Sequence, residues 1–254
     1  MAGYEIRNQA FGEALILNGT AFSGGPWDGI MGMSYPTLGE TGISPIFNLI
    51  KFGVLDQNMF SFWFSHQQPY NGGQLTIGGY DRHLFTGSIT WLRAIKYDYW
   101  MVEMKSLLIG DYIFERGCFA IFDTSTPFII GPVETVKAIN RGLGGEKGKD
   151  GIWKVNCRDI PLMPRLSVFL GEQRADFTID SSEYTFRMGN SCYSYLVGID
   201  LRDAQGNLQW VLGTSFLRSY YSIFDVGLHR IGLARSVPVC PNRGCGNQGA
   251  CPVA

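Results

Sequence analysis

Phe119-Ala-Ile-Phe-Asp-Thr-Ser-Thr126 is the stretch on which the reading of this sequence turns. An apolar run delivers an aspartate, and small hydroxyl residues follow it. Phe128-Ile-Ile130 then resumes the apolar character. Gly131-Pro132 opens a helix pattern to Asn140 that places Val133, Val136 and Ile139 at helical spacing. A carboxylate at the end of an apolar strand is costly unless hydrogen bonds satisfy it or a function uses it. From these residues alone two readings stay open: a structural Asp in an Asx-type turn, and a functional acid.

Working outward, Trp27-Asp-Gly-Ile-Met-Gly-Met-Ser-Tyr-Pro36 holds an apolar-apolar-Gly step at Ile30-Met31-Gly32. Trp210-Val-Leu-Gly-Thr-Ser-Phe-Leu217 holds another at Val211-Leu212-Gly213. Two such steps, far apart, suggest two related halves. Between them short runs read as strands: Gln74–Ile77, Ser88–Trp91, Leu166–Phe169, Asp176–Ile179 and Tyr184–Phe186. Tyr221–Asp225 and Arg230–Ala234 read as a pair of strands joined through Gly227. Ile43–Phe52 reads as a helix started by Ser44-Pro45. Gly142-Leu-Gly-Gly-Glu-Lys-Gly-Lys-Asp-Gly151 reads as a mobile surface loop, because its glycine spacing does not fit a dinucleotide fingerprint. The last compact element is expected to end near Ser236, leaving a Cys/Pro/Gly-rich tail over 237–254.

Composition narrows the function. The chain has 254 residues, 21 Lys and Arg against 22 Asp and Glu, and a net charge of −1. No basic field is available for nucleic acid or an anionic membrane surface. Apolar runs such as Phe60–Phe64, broken by Ser61, are too short to cross a bilayer. No apolar signal-peptide core follows Met1. Glycine numbers 33, well above the usual share of about 7%, which with 14% aromatics points to a turn-rich, β-heavy fold. No Gly-x-Ser-x-Gly is present, so a serine hydrolase is excluded. The six cysteines, Cys118, Cys157, Cys192, Cys240, Cys245 and Cys251, include no C-x-x-C pair, and the three histidines are scattered. An even cysteine count and the sequon at Asn18 point to an oxidising compartment; idle thiols in a cytosolic protein are the alternative.

Taken in order, Gly3-Tyr-Glu-Ile-Arg-Asn-Gln-Ala-Phe-Gly12, Asp28-Gly-Ile-Met-Gly32, Gly72-Gly-Gln-Leu-Thr-Ile-Gly-Gly-Tyr-Asp81, Thr86-Gly-Ser-Ile-Thr-Trp91, Tyr99-Trp100, the Asp123 motif, Val211-Leu-Gly213 and Ile231-Gly-Leu-Ala234 resemble the pepsin-like aspartic endopeptidases. The resemblance implies a mainly β, bilobal acid-protease fold. Residues 1–84 would be the remainder of the first lobe and 85–236 a complete second lobe. In that family each lobe offers an Asp-Thr-Gly loop clasped by an apolar-apolar-Gly step. The two aspartates share a proton, one serving as general base on water and the other as general acid. Like charges about 3 Å apart cannot both ionise, which accounts for acidic working conditions; aspartic proteases are themselves the reference case for that rule. By this resemblance Asp123 is a catalytic acid, and Thr124, Ser125 and Thr126 support its loop. Tyr99 and Thr126 line the substrate cleft, and Cys157 pairs with Cys192. The partner is a peptide or protein substrate, no metal or organic cofactor is needed, and the compartment is extracellular or lysosomal.

The sequence also departs from that pattern. It has two glycine steps but one candidate catalytic loop. The residues before Gly32 hold neither Asp-Thr-Gly nor Asp-Ser-Gly, so the first lobe is expected to be incomplete, as in a shortened isoform or an incomplete gene model. Ser125 stands where the family has glycine, and a clash or lost conformational freedom is expected there. Pro127 biases Thr126 toward extended geometry. Phe114 stands where many members keep a cysteine partner for Cys118. Three functions follow: an endopeptidase, a non-catalytic peptide- or protein-binding relative, and a fragment with no independent function. For the chain as written, impaired catalysis is expected.

Overall fold

The computed structural model describes residues 3–16, 28–39, 42–66, 72–96, 98–114, 117–149 and 151–237. Asn18, Cys240, Cys245, Cys251 and the tail beyond Val237 lie outside the described residues. In chain order the elements are α1 (Pro45–Lys51), β1 (Met59–Phe64), β2 (Gly73–Ile77), β3 (Phe85–Arg93), β4 (Met101–Ile109), β5 (Tyr112–Phe114), β6 (Cys118–Phe122), β7 (Ile129–Gly131), α2 (Val133–Gly142), β8 (Glu146–Lys147) and β9 (Trp153–Val155). They continue with β10 (Leu166–Leu170), β11 (Ala175–Ile179), β12 (Thr185–Met188), β13 (Ser191–Ser194), β14 (Leu196–Gly198), β15 (Leu201–Arg202), β16 (Leu208–Leu212), α3 (Thr214–Leu217), β17 (Tyr220–Asp225) and β18 (Arg230–Ser236). The fold is mainly β.

A five-stranded sheet runs β2-β1-β17-β18-β3. It takes strands from both sides of the boundary expected between 84 and 85. Met59–Phe62 runs antiparallel to Ser222–Asp225, so backbone hydrogen bonds tie the two stretches together. β1 is an inner strand covered on both faces, which explains its dense aromatic content. Phe60 stacks on Phe224 at 5.0 Å and meets Trp100 edge-on at 5.7 Å. Such aromatic pairs contribute roughly 0.5–1.5 kcal/mol each beyond area burial. The one polar break, Ser61, is buried and satisfied, its hydroxyl 2.7 Å from the Tyr221 phenol.

The 85–236 stretch supplies two further sheets by itself. One is β11-β10-β4-β6-β16-β7-β14, with β5 on β4 and β15 on β16. The other is β12-β13-β9-β8. Cys157 and Cys192 are disulfide-bonded with Cα atoms 5.3 Å apart, joining the segment after β9 to β13. Here one expectation is corrected. The glycine-rich 142–151 stretch is not all loop, because Glu146 and Lys147 pair with Lys154 and Trp153 as an edge strand. Backbone pairing to a buried Trp153 needs no apolar side chains on the exposed partner. Both expected helices form, α1 over Pro45–Lys51 and α2 over Val133–Gly142, and α2 buries Val136 and Ile139. Among the described residues no helix is long and apolar enough to cross a membrane.

Candidate active site

Asp123 follows β6, a strand enclosed between β4 and β16. Cys118-Phe-Ala-Ile-Phe122 is apolar on both faces because Cys118, Ala120 and Phe122 enter the main core while Phe119 and Ile121 pack in a second apolar cluster. β16 runs parallel to β6, with Leu212 opposite Phe122, and antiparallel to β7, with Leu212 opposite Ile129. β16 therefore lies between the two strands that the Asp123 loop connects, and the loop passes around its end. The Asp123 amide donates to the Leu212 carbonyl at 3.2 Å. The amides of Gly213, Thr214 and Ser215 donate in turn to the carbonyls of Phe128, Thr126 and Pro127, at 3.1, 2.8 and 3.2 Å. Gly213 is required by this clasp. A Cβ there would lie 2.4 Å from the carbonyl oxygens of both Thr126 and Phe128, which is too close for any side chain.

The half-buried Asp123 carboxyl accepts two hydrogen bonds on one oxygen. The Ser125 amide reaches Oδ1 at 2.8 Å and the Ser125 hydroxyl reaches it at 2.6 Å. The amide bond is the Asx-type turn that the sequence left open, so the structural and functional readings coexist at this residue. The expected clash at Ser125 is absent. Its side chain is exposed, and it is not among the described non-glycine residues with positive φ. One hydrogen bond contributes about 1 kcal/mol net, more than the few tenths that separate most residues at an unstrained exposed site. The Asp-x-Ser spacing was the signal that could have revealed this contact.

The remaining expected site residues are placed as follows. Thr126 is half-buried, and its hydroxyl accepts from the Phe128 amide at 3.3 Å. Thr124 is half-buried, and its hydroxyl makes no hydrogen bond among the described residues. The Phe122 amide donates to the Trp100 carbonyl at 2.9 Å, and one step further along this register lead Tyr99 and Asp123. Tyr99 is exposed. Met101, Ile121 and Val211 form a buried apolar cluster apart from the main core, with Phe119, Ile130 and Leu201 packed against it. Cys118 is a buried free thiol, and burial pushes its pKa up to about 12. Asp180 also ends an apolar strand and precedes two serines, yet it pairs with Arg165 at 2.8 Å on the surface. Among the described residues no cluster of His, Cys, Asp and Glu is arranged to hold a metal.

The other glycine step is engaged differently. Its C-terminal side is anchored: Tyr35 is buried against Trp100 at 4.6 Å, and the Trp100 indole donates to the Met33 carbonyl at 2.9 Å. The step itself is open. Ile30 is 76% exposed, against 6% for Val211. Among the described residues, no atom beyond its two chain neighbours lies within 4 Å of a Cβ built on Gly32. Among the described residues the amides of Gly32, Met33 and Ser34 donate to no acceptor, whereas those of Gly213, Thr214 and Ser215 all do.

A family model described as eukaryotic aspartyl protease matches residues 1–236. Gastricsin of Rattus norvegicus is 35% identical over 238 residues, covering 92% of this chain and 60% of gastricsin. Cathepsin D of Chionodraco hamatus is 33% identical over 239 residues, covering 91% of this chain and 60% of that protein. Cathepsin E of Mus musculus is 33% identical over 244 residues, covering 93% and 60%. The chain thus spans about 60% of the length of the curated relatives it matches.

Proposed function

This chain belongs to the eukaryotic aspartyl protease family, and from that premise we propose that its Asp123 loop is one half of an aspartic endopeptidase site, with Asp123 as one of two acids. The observation that carries this reading is the grip on the loop. Asp123 sits at the end of an enclosed strand, and successive amides of the Gly213 step fix the carbonyls that follow it. A carboxyl held in this way takes up or gives a proton without moving its backbone, which is what acid–base chemistry on a peptide bond requires. Tyr99 and Thr126 line the cleft for an extended peptide, and residues 85–236 form the lobe that carries the loop. Residues 1–84 form the rest of the first lobe. The disulfide supports folding in an oxidising secretory compartment.

The same reading limits these 254 residues acting alone. Hydrolysis through water needs a base for the water and an acid for the carbonyl, each contributing about 10² to 10⁴-fold. One carboxyl cannot fill both roles at once. The open Gly32 step favours a second reading on the same site, in which the chain by itself binds extended peptide or protein without cleaving it. Purified 254-residue chain at acidic pH is therefore expected to show no pepstatin-sensitive cleavage of denatured haemoglobin. Turnover that disappears in Asp123→Asn would overturn the impairment and would point to two Asp123 loops meeting in a dimer.

A further inference from the structure

Both donors to Asp123 arrive at the same oxygen. The Ser125 amide and the Ser125 hydroxyl lie 2.8 and 2.6 Å from Oδ1, and no other donor among the described residues reaches the carboxyl. A carboxylate oxygen carries two lone pairs, about four acceptor sites being shared between its two oxygens. Two donors on Oδ1 fill its share and leave the remaining sites on Oδ2. The arrangement is held in place from below. The Asp123 amide is tied to Leu212, and the carbonyls at 126–128 are tied to the Gly213 step, so the backbone keeps Ser125 beside the carboxyl, and Oδ1 names whichever oxygen faces it.

The hydroxyl contact is a property of serine at this position. A glycine would supply the amide bond alone. Neither neighbour replaces it, since the Thr126 hydroxyl serves the Phe128 amide and the Thr124 hydroxyl bonds nothing among the described residues. Ser125 is exposed, so its hydroxyl is free to face water, yet it is turned onto the carboxyl.

We propose that Ser125 is a positioning residue that divides the work of Asp123 between its two oxygens. Oδ1 is a standing acceptor for the loop. Oδ2 is the oxygen that meets water, and it takes up or releases the proton. The division of the oxygens rests on the loop geometry; its use in proton transfer rests on the endopeptidase reading given above.

Crystal structures of the full chain and of its Ser125→Ala, Ser125→Gly and Ser125→Thr variants, at a resolution that orders water, test the division without any need for turnover. The wild type and Ser125→Thr are expected to hold water within hydrogen-bond distance of Oδ2 only. Ser125→Ala and Ser125→Gly are expected to gain one water on Oδ1. In solution, a slowly exchanging hydroxyl proton at position 125 is expected in the serine and threonine forms and lost in the other two. Water on Oδ1 of the wild type, or an alanine variant with the wild-type water pattern, overturns the proposal. If the alanine or glycine form does not fold, the wild-type water positions and the hydroxyl proton still decide it. A chain that cleaves nothing but keeps water on Oδ2 alone supports the division and agrees with the impaired catalysis expected of these 254 residues by themselves. A chain that cleaves through Asp123 with water on Oδ1 overturns the division and the impairment, and leaves the endopeptidase reading standing.

Discussion

The Tyr35 phenol lies 2.6 Å from Nδ1 of His229, joining the segment after the open Gly32 step to the turn between β17 and β18. Tyr35 is buried, packing also on Phe47 at 5.5 Å, and His229 sits at φ 50°, in the left-handed region that few non-glycine residues occupy. Burial holds the His229 pKa below its ordinary value of 6.5, and the Arg93 charge lowers it further.

A pH dependence with a definite sign follows. When a histidine is depressed in the folded state, the unfolded chain binds the extra proton first as pH falls. The stabilisation is complete above the unfolded value and is lost as pH falls through the folded one. Unfolding midpoints measured from pH 7 downward should therefore decline more steeply for the wild type than for His229→Gln, which cannot take a proton. Parallel slopes would exclude His229 as the titrating group. Tyr35→Phe keeps the packing and should cost about 1 kcal/mol, the usual net value of one hydrogen bond.

Gly213→Ala should be among the most damaging single changes in the chain. The new methyl would meet two carbonyl oxygens at 2.4 Å, and neither belongs to a flexible side chain. The loop must open to admit it, at a cost of about 3 kcal/mol or more. Chemical denaturation reads this directly. Gly32→Ala, whose new methyl meets nothing among the described residues, should change stability by roughly 0.5 kcal/mol or less. A similar loss at both glycines would mean that the Gly32 step is gripped in solution.

The two kinds of cysteine should behave oppositely. Cys157 and Cys192 are 35 residues apart, and closing that loop stabilises the fold by about 4 kcal/mol in the chain-entropy model. Replacing both with serine should lower the denaturation midpoint accordingly. Cys118, buried with its pKa near 12, should resist alkylation at pH 8 in the folded chain and react only on unfolding. Rapid native-state labelling at Cys118, located by peptide mapping, would show that β6 opens readily.

The part of this fold around Asp123 was legible because its information is local. An apolar strand, an aspartate and a glycine that tolerates two carbonyls are each written in adjacent residues, and so are the strands at 74–77 and 166–169. Strand neighbours are not written that way. Met59-Phe-Ser-Phe-Trp-Phe64 gives no sign that it pairs with residues 222–225, and Tyr35 finds His229 across 194 positions. At Ser125 the residue type was visible but its rotamer was not. A hydroxyl turned onto Asp123 makes a bond where a steric conflict was expected. The edge strand at Glu146–Lys147 was hidden because backbone pairing leaves no mark on a polar sequence.

The account rests on one glycine step being closed on its loop and the other standing open. Amide hydrogen exchange of the monomeric chain tests this most directly. The amides of Asp123, Gly213, Thr214 and Ser215 each have a backbone acceptor, while those of Gly32, Met33 and Ser34 have none among the described residues. The first group should exchange at least about 10²-fold more slowly than the second, after correction for intrinsic rates. Equal protection of the two groups would show that the Gly32 step is also closed, and the account of one closed and one open step would fail.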